Sequence, residues 1–369
     1  MNPHVVAKSA KNLLAALEIK FDRSIGRECA PARMDILCIE TTSACNLKCR
    51  LCGYVKKHSP RISMKDAMFE SCIAQAVGLG FRHFDLTPCT GDLFMDRRIF
   101  NKFRILEDNS DVEGFHFFTN LSIPKPEQIE RMVGLNKVEK ITVSIYGHDL
   151  ESFVAITQST AKVYARLLAN LETLYGLLDR KKFHLEFGFR TTRDAPRSPT
   201  SDLMRLLERF KQRGVKVRGS HVYNNWGGYI TQDDVQGLAI DIAGTEDTYK
   251  NGACVYLFTS VQVMASGIVN GCACRDVDAT LRIGDIRETP LREILSTSNP
   301  AYMQLIDEQQ RGAFRPVCQS CDFYKSIYHH RSRDRNEGRG LQSIQQFKDR
   351  MDAPGKTKAR QLQPASVSK

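Results

Sequence analysis

The sequence holds one tryptophan in 369 residues, and it has no glycine–serine linker, no short repeat, no long apolar run and no cysteine after Cys321. Each absence excludes something. A helix that crosses a membrane needs about 20 apolar residues in a row, and no run approaches that. The opening stretch, MNPHVVAKSAKNLLAALEIKFDR, breaks its apolar positions with Lys8, Lys11, Glu18 and Lys20. It therefore contains no signal-peptide core and predicts a surface helix. Twelve cysteines in so long a chain fall short of the density of a small disulfide scaffold, which makes the reducing cytoplasm the expected compartment. The net charge of +11 is uneven: residues 322–369 carry eleven Lys or Arg against five Asp or Glu. That tail lacks interleaved aromatics and any binding motif, so it predicts a solvated face and makes nucleic acid an unlikely partner. Its end, DAPGKTKARQLQPASVSK, has the composition of a disordered terminus.

The cysteines that are present fall into two patterns. Cys45, Cys49 and Cys52 form a CxxxCxxC triplet directly after a strand-like segment. A cube of four irons normally takes four cysteines, and ferredoxin spacings differ from this one. Three thiolates in a tight loop leave one iron without a protein ligand, a vacancy for substrate or cofactor. A zinc site or three unrelated core cysteines are the plainer alternatives, although structural zinc usually takes four ligands paired as CxxC-type knuckles. The second pattern is Cys254, twelve residues, Gly267, four residues, Cys272, and then the pair Cys318 and Cys321. Four cysteines can close a whole cluster, or hold a structural zinc. Cys29, Cys38 and Cys72 read as core or near-surface thiols.

Periodicity gives the architecture. MDILCIE over residues 34–40 is a first strand, and HFDLT, FHFFTN, KITVSIYG, HLEFGFR and VKVRGSHVY follow it, with amphipathic segments in the gaps. Six strand–helix alternations imply a mostly parallel sheet with right-handed crossovers, an α/β chain closing into an open or partial (β/α)6 barrel. The expected divisions are an N-terminal helical segment over 1–33, the barrel over 34–240, a cysteine-bearing extension over 241–328 and a basic, partly disordered tail over 329–369. In a parallel barrel the active-site loops follow the strands. Polar residues at those positions include Gly91 and Asp92, Thr119 and Asn120, Ser144, and Arg190. Singly each is weak, since a Gly-Asp or Thr-Asn pair is most often a turn.

The triplet in CIETTSACNLKCRLC, with those pieces in order behind it, resembles the radical S-adenosylmethionine (SAM) superfamily. The resemblance implies a four-iron cluster on Cys45, Cys49 and Cys52 whose open iron binds SAM, and reductive cleavage of SAM to methionine and a 5′-deoxyadenosyl radical. It implies that Gly91 and Asp92 stand for a Gly-Gly-Glu segment receiving the SAM ammonium, with a shorter carboxylate. Ser144 and Arg190, beside Thr119 and Asn120, would meet the methionyl carboxylate, and Arg190 would alternatively hold a substrate anion. The family usually has an aromatic residue where Leu51 stands. The CX12GX4C and CX2C spacing resembles the auxiliary-cluster extension of these enzymes, in its short twitch form rather than the full SPASM form, and implies a second 4Fe-4S cluster on Cys254, Cys272, Cys318 and Cys321.

Members with one such cluster include sugar and aminocyclitol dehydrogenases, so oxidation of a carbohydrate-like small molecule is the leading expectation, with the auxiliary cluster accepting the second electron. A flavodoxin or ferredoxin would be the reducing partner. The alternatives are a carbohydrate epimerase and a modifier of a ribosomal peptide. The candidates for chemistry are Arg190, Asp276 and Cys274, the last as a hydrogen donor, a spare ligand or a buried bystander. His148, His221, Tyr223 and Arg275 are further polar residues within reach of a pocket. Trp226 either stacks on substrate beside Asn224 and Asn225 or plugs the junction between barrel and extension. The adjacent pair His329 and His330 reads as surface.

Overall fold

Strand–helix alternation in the sequence becomes a sheet wound in one direction. The computed structural model describes residues 3–31, 36–86, 89–244, 248–273, 275–329 and 341–352. After helix α1 (Pro3–Ser24) come strands β1 (Ile36–Ile39), β2 (His83–Asp85), β3 (Gly114–Thr119), β4 (Val138–Tyr146), β5 (His184–Arg190) and β6 (Lys216–Ser220). They lie side by side in chain order, every pair parallel. Consecutive order without reversal is the topology of a barrel rather than of a doubly wound sheet. Among the described residues β6 pairs with β5 alone, so the barrel is open. Helices α2 (Asp66–Gly78), α3 (Ile99–Asp108), α4 (Pro126–Val133), α5 (Leu150–Thr157), α6 (Ala161–Gly176) and α7 (Asp202–Gln212) fill the crossovers.

The packing follows from the pattern. In α7, Leu203, Leu206, Leu207 and Phe210 recur at helical spacing and are all buried, and the Ser201 hydroxyl caps the first turn by accepting from Met204 N. Phe210 meets Phe187 of β5 edge-on at 4.7 Å, and Phe103 of α3 stacks on Phe115 and Phe117 of β3 at 5.6 and 5.5 Å. Each such buried ring contributes roughly 1.5–3 kcal/mol.

The sheet does not stop at the barrel. Strand β7 (Gln262–Val263) pairs parallel with β1, Gln262 opposite Cys38 and Val263 opposite Ile39. Strands β8 (Ile268–Asn270) and β9 (Arg282–Asp285) continue it antiparallel, giving nine strands in one sheet. Helix α8 (Pro300–Gln310) packs below, its fully buried Tyr302 donating to Leu257 O at 2.6 Å. Within the region expected to be a tail, Leu341–Gln342 pairs antiparallel with Ala30–Pro31, and helix α9 (Ile344–Met351) sets Phe347 edge-on against Phe258 at 4.8 Å. The closing stretch beyond 352 lies outside the described residues, as does His330. His329 is buried rather than on the surface, 3.9 Å from Glu18. The expected surface helix is α1, which buries Ile19 and Asp22 and exposes Leu13, Leu14, Leu17 and Phe21.

Candidate active site

The loop after β1 carries the cysteine triplet and is strapped from three sides. Main-chain bonds fix it to the end of α5, from Lys48 N to Thr157 O and from Arg50 N to Ile156 O. The segment after β6 crosses over it: Arg50 donates to Asp234 O and Gln236 O at 2.9 and 2.8 Å, Lys56 pairs with Asp234 at 2.6 Å, and Trp226 Nε1 donates to Leu51 O at 2.9 Å. On the third side Asp278 accepts from His58 N, Ser59 N and the Ser59 hydroxyl. An aromatic ring therefore stands beside the loop at Leu51, supplied by Trp226. Burial pushes the Cys45 thiol up to about 12, with the nearby Asp92 and Cys52 adding to it. Burial likewise raises Cys49 and Cys52, against the pull of the Arg190 guanidinium on both.

All three thiols line one open cavity of about 370 Å³ at the carboxyl ends of the strands, together with Gly91, Asp92, Thr119, Asn120, Ser144 and Arg190. These six positions, singled out in the sequence as loop residues after barrel strands, are thus brought to one place with the triplet. Gly91 is required there: at φ +113° its backbone lies so near the cysteine loop that a Cβ would stand 2.8 Å from Thr42 O and 2.9 Å from Ala44 O. The guanidinium of Arg190 lies over the Tyr146 ring at 5.4 Å. Asp92 is engaged within the fold: its carboxylate accepts from Phe94 N at 3.0 Å, the Thr119 hydroxyl at 3.0 Å and Asn120 N at 2.6 Å. Burial raises its pKa against those three bonds. The Asn120 amide donates to Asn46 Oδ1 at 2.9 Å, within the cysteine loop. Thr90 Oγ1, buried in the same wall, has no hydrogen-bond partner, a polar atom that fits a polar cofactor.

Cys254, Cys272, Cys318 and Cys321 line a second, much smaller cavity of about 30 Å³, walled by apolar residues such as Leu257, Leu281, Val317 and Phe323. Burial drives the Cys254 thiol well up and the Cys318 thiol to about 12, each further raised by its cysteine neighbours. The four thiols ring the cavity, a donor set that suits a cluster whose ligands bond to different irons. Both cysteine sets therefore fit iron–sulfur clusters: three thiols around a large polar cleft and four around a small apolar one.

The candidates for chemistry are divided. Asp276 lines the auxiliary cavity, with its carboxylate accepting from Leu281 N at 2.8 Å and the Thr280 hydroxyl at 3.1 Å. Cys274 lies outside the described residues. His221 is about half exposed beside Asp241, and His148 sits by Thr191 and Asp149; neither lines the open cavity. Tyr223 and Asn224 line it, but the Tyr223 hydroxyl is turned to Thr191 O at 2.9 Å. Asn225 bonds to Ser320 O and Asp322, tying the Trp226 loop to the Cys318–Cys321 turn.

Arg275 and Tyr256 line both cavities, the guanidinium lying 5.3 Å from the Trp226 ring and 4.4 Å from the Phe323 ring. Sequence reasoning missed several wall residues, Tyr256 among them. Cys89 is a buried thiol, Tyr146 underlies Arg190, and Asp85 pairs with His116 at 3.3 Å. Asp85 had a legible signal, as a carboxylate closing a strand of a barrel.

The comparisons agree at the level of the domain. The family model SPASM, an iron–sulfur cluster-binding domain, matches residues 254–322. No curated protein matches significantly. Among solved structures, BtrN in complex with AdoMet and 2-DOIA is similar at 14% identity and a TM-score of 0.49, covering 79% of this chain and 93% of that one. Streptococcus suis SuiB bound to precursor peptide SuiA reaches 16% and 0.47, covering 89% and 78%. Native anSMEcpe with bound AdoMet reaches 14% and 0.46, covering 85% and 96%. Scores below 0.5 carry no residue's role and no substrate to this chain. The SPASM match shows an iron–sulfur cluster-binding domain over residues 254–322, and the three-cysteine loop stands beside it at the open end of a parallel half-barrel.

Proposed function

We propose that this protein is a radical SAM dehydrogenase of a carbohydrate-like small molecule, working in the cytoplasm with a small reducing protein of the flavodoxin or ferredoxin kind. When bound, the first cluster supplies the electron that splits SAM, and the auxiliary cluster accepts the electron the substrate gives up. The observation that carries the reading is the shared wall: Tyr256 and Arg275 face the open cavity on one side and the four-cysteine cavity on the other. A substrate held against that wall lies between the radical and the electron acceptor.

In this reading the chain's residues have separate tasks. Arg190, over Tyr146, holds an anionic group of SAM or substrate. Trp226, Asn224 and Arg275 offer a ring face, an amide and a guanidinium to a polyhydroxylated ring. Oxidation of a carbinol moves one hydrogen atom to the 5′-deoxyadenosyl carbon, one electron to the auxiliary site and the hydroxyl proton to a base. Asp85 is assigned that proton. The described carboxylates facing the cavity are Asp85 and Asp92: Asp92 accepts three hydrogen bonds from Phe94, Thr119 and Asn120 that build the wall, whereas Asp85 pairs with the titratable His116.

Protein reconstituted anaerobically with iron and sulfide should hold about eight irons per chain, from two four-iron clusters. Changing Cys45, Cys49 and Cys52 together to Ala should remove about half of that iron and all 5′-deoxyadenosine formation. Stoichiometric zinc with only about four irons in the wild type would defeat the auxiliary assignment. A second reading, epimerisation by return of a hydrogen atom from a thiol, is favoured by the buried Cys89 in the cavity wall. Turnover in deuterated water separates the two: a dehydrogenase gives an oxidised, unlabelled carbon, whereas an epimerase places deuterium at the inverted centre. The similar structures, one holding 2-DOIA and one a precursor peptide, decide nothing between small molecule and peptide.

A further inference from the structure

The buried face of α8 runs Tyr302, Leu305, Ile306 and Gln309, and the last of these is out of place. A fourth apolar side chain would suit the helix as well, and a buried amide is costly unless both its ends are satisfied. Gln309, about 1% exposed, satisfies both on cysteines of the auxiliary cavity. Its Oε1 accepts from Cys254 N at 2.8 Å, and its Nε2 lies 3.3 Å from Cys318 Sγ. The orientation of the amide is fixed by chemistry, because a backbone N–H can only donate and therefore demands the oxygen end. The nitrogen end must then face the sulfur. Cys321 Sγ also accepts an N–H, from Phe323 N at 3.3 Å, but that donor is main chain and any residue would provide it.

We infer that Gln309 is a positioning residue that sets the reduction potential of the auxiliary cluster, through an N–H aimed at the Cys318 sulfur and clamped there by the Cys254 backbone. The inference rests on the four-cysteine cavity holding an iron–sulfur cluster. Reduction adds negative charge to such a cluster, and an N–H pointed at a ligand sulfur stabilises the reduced state more than the oxidised one, raising the potential. The apolar walls lower the local dielectric and strengthen the effect. A cluster held up in this way is a better acceptor for the electron of a substrate radical, and the same amide ties together two ligands from distant parts of the chain.

The test is a redox titration, followed by electron paramagnetic resonance, of full-length reconstituted protein and of Gln309→Met, which keeps the side-chain length and removes the N–H. The second cluster's midpoint should move to a more negative potential while the first stays where it is. In the wild type with 15N in the glutamine side-chain amides, the reduced second cluster should show a weak nitrogen coupling that follows the label. This second measurement needs no variant, so it decides the matter if Gln309→Met fails to hold iron. Two clusters with an unmoved midpoint, or no label-dependent coupling in the wild type, overturn the inference alone. A wild type with a single cluster overturns it together with the reading on which it rests.

Discussion

A carboxylate at the mouth of a cofactor cavity can serve a ligand or the fold, and Asp92 gives its oxygens to Phe94 N, the Thr119 hydroxyl and Asn120 N. Resemblance alone makes it the partner of the SAM ammonium, and by that argument the longer Asp92→Glu should be mild. The geometry predicts otherwise. Asp92→Ala strands three buried donors, a loss of about 3 kcal/mol or more, and Asp92→Glu should also destabilise because the site is closed around the shorter side chain. Denaturant unfolding of reconstituted protein, run beside SAM titration, separates the roles: weakened SAM binding with unchanged stability would mean that Asp92 is a ligand after all. Asp85 is the opposite case, a wall carboxylate whose neighbour His116 titrates. Burial works against the His116 cation, yet the hydrogen bond and charge of Asp85 lift it above the ordinary imidazole range. Asp85→Asn should stop product formation while 5′-deoxyadenosine still forms. Parallel loss of both would remove Asp85 from the chemistry.

Elements meet where a short strand joins two parts of the chain. Glu40, just past β1, is about 2% exposed, and its Oε1 accepts from Ala265 N of the turn after β7 while its Oε2 has no hydrogen-bond partner. Burial pushes its carboxyl up to about 7 from an ordinary 4.5, with Lys57 and Ala265 pulling only partly back. The unfolded chain therefore releases this proton near the lower value while the folded chain keeps it until the higher. Between them the folded state binds more protons, so stability falls as pH rises through that window, by about 3 kcal/mol at most. Glu40→Gln keeps the acceptor for Ala265 N and removes the titration. It should melt higher than the wild type at pH 8 and with it at pH 5; superposed melts at pH 8 would mean that the carboxyl ionises without cost.

Local periodicity decided which parts of the fold were legible in the sequence. Six strand–helix units could be read because each carries its own period, and both cysteine sets because thiol spacing is local. The β1–β7 pairing could not, since Gln262–Val263 is two residues long and has no pattern of its own. Helix α9 was hidden in a charged tail, where Ile344, Phe347 and Met351 keep helical spacing among polar neighbours. The structural part of Asp276, capping its own turn, depends on a local fold that no spacing announces.

For the molecule as a whole, the boundary expected near residue 240 falls inside one continuous sheet. Val263 lies against Ile39 on the strand that leads into the cysteine triplet, and the cavity wall takes Tyr256, Ser260, Ala273 and Arg275 from beyond the boundary. Asp278 holds the far end of the triplet loop, and Trp226 is wedged between that loop and the Cys318–Cys321 turn through Asn225. Cutting after residue 240 would strip β1 of its outer partner β7, uncovering the edge at Cys38 and Ile39, and leave the triplet loop with two straps of three. Residues 1–240 alone should therefore be insoluble or expanded, and should not hold a stable first cluster. The whole chain should lose both parts together, with hydrogen exchange in β1 and β7 rising in step under increasing denaturant. A soluble 1–240 fragment that binds about four irons and cleaves SAM would show instead that the barrel folds by itself and that the cysteine domain is an attachment to it.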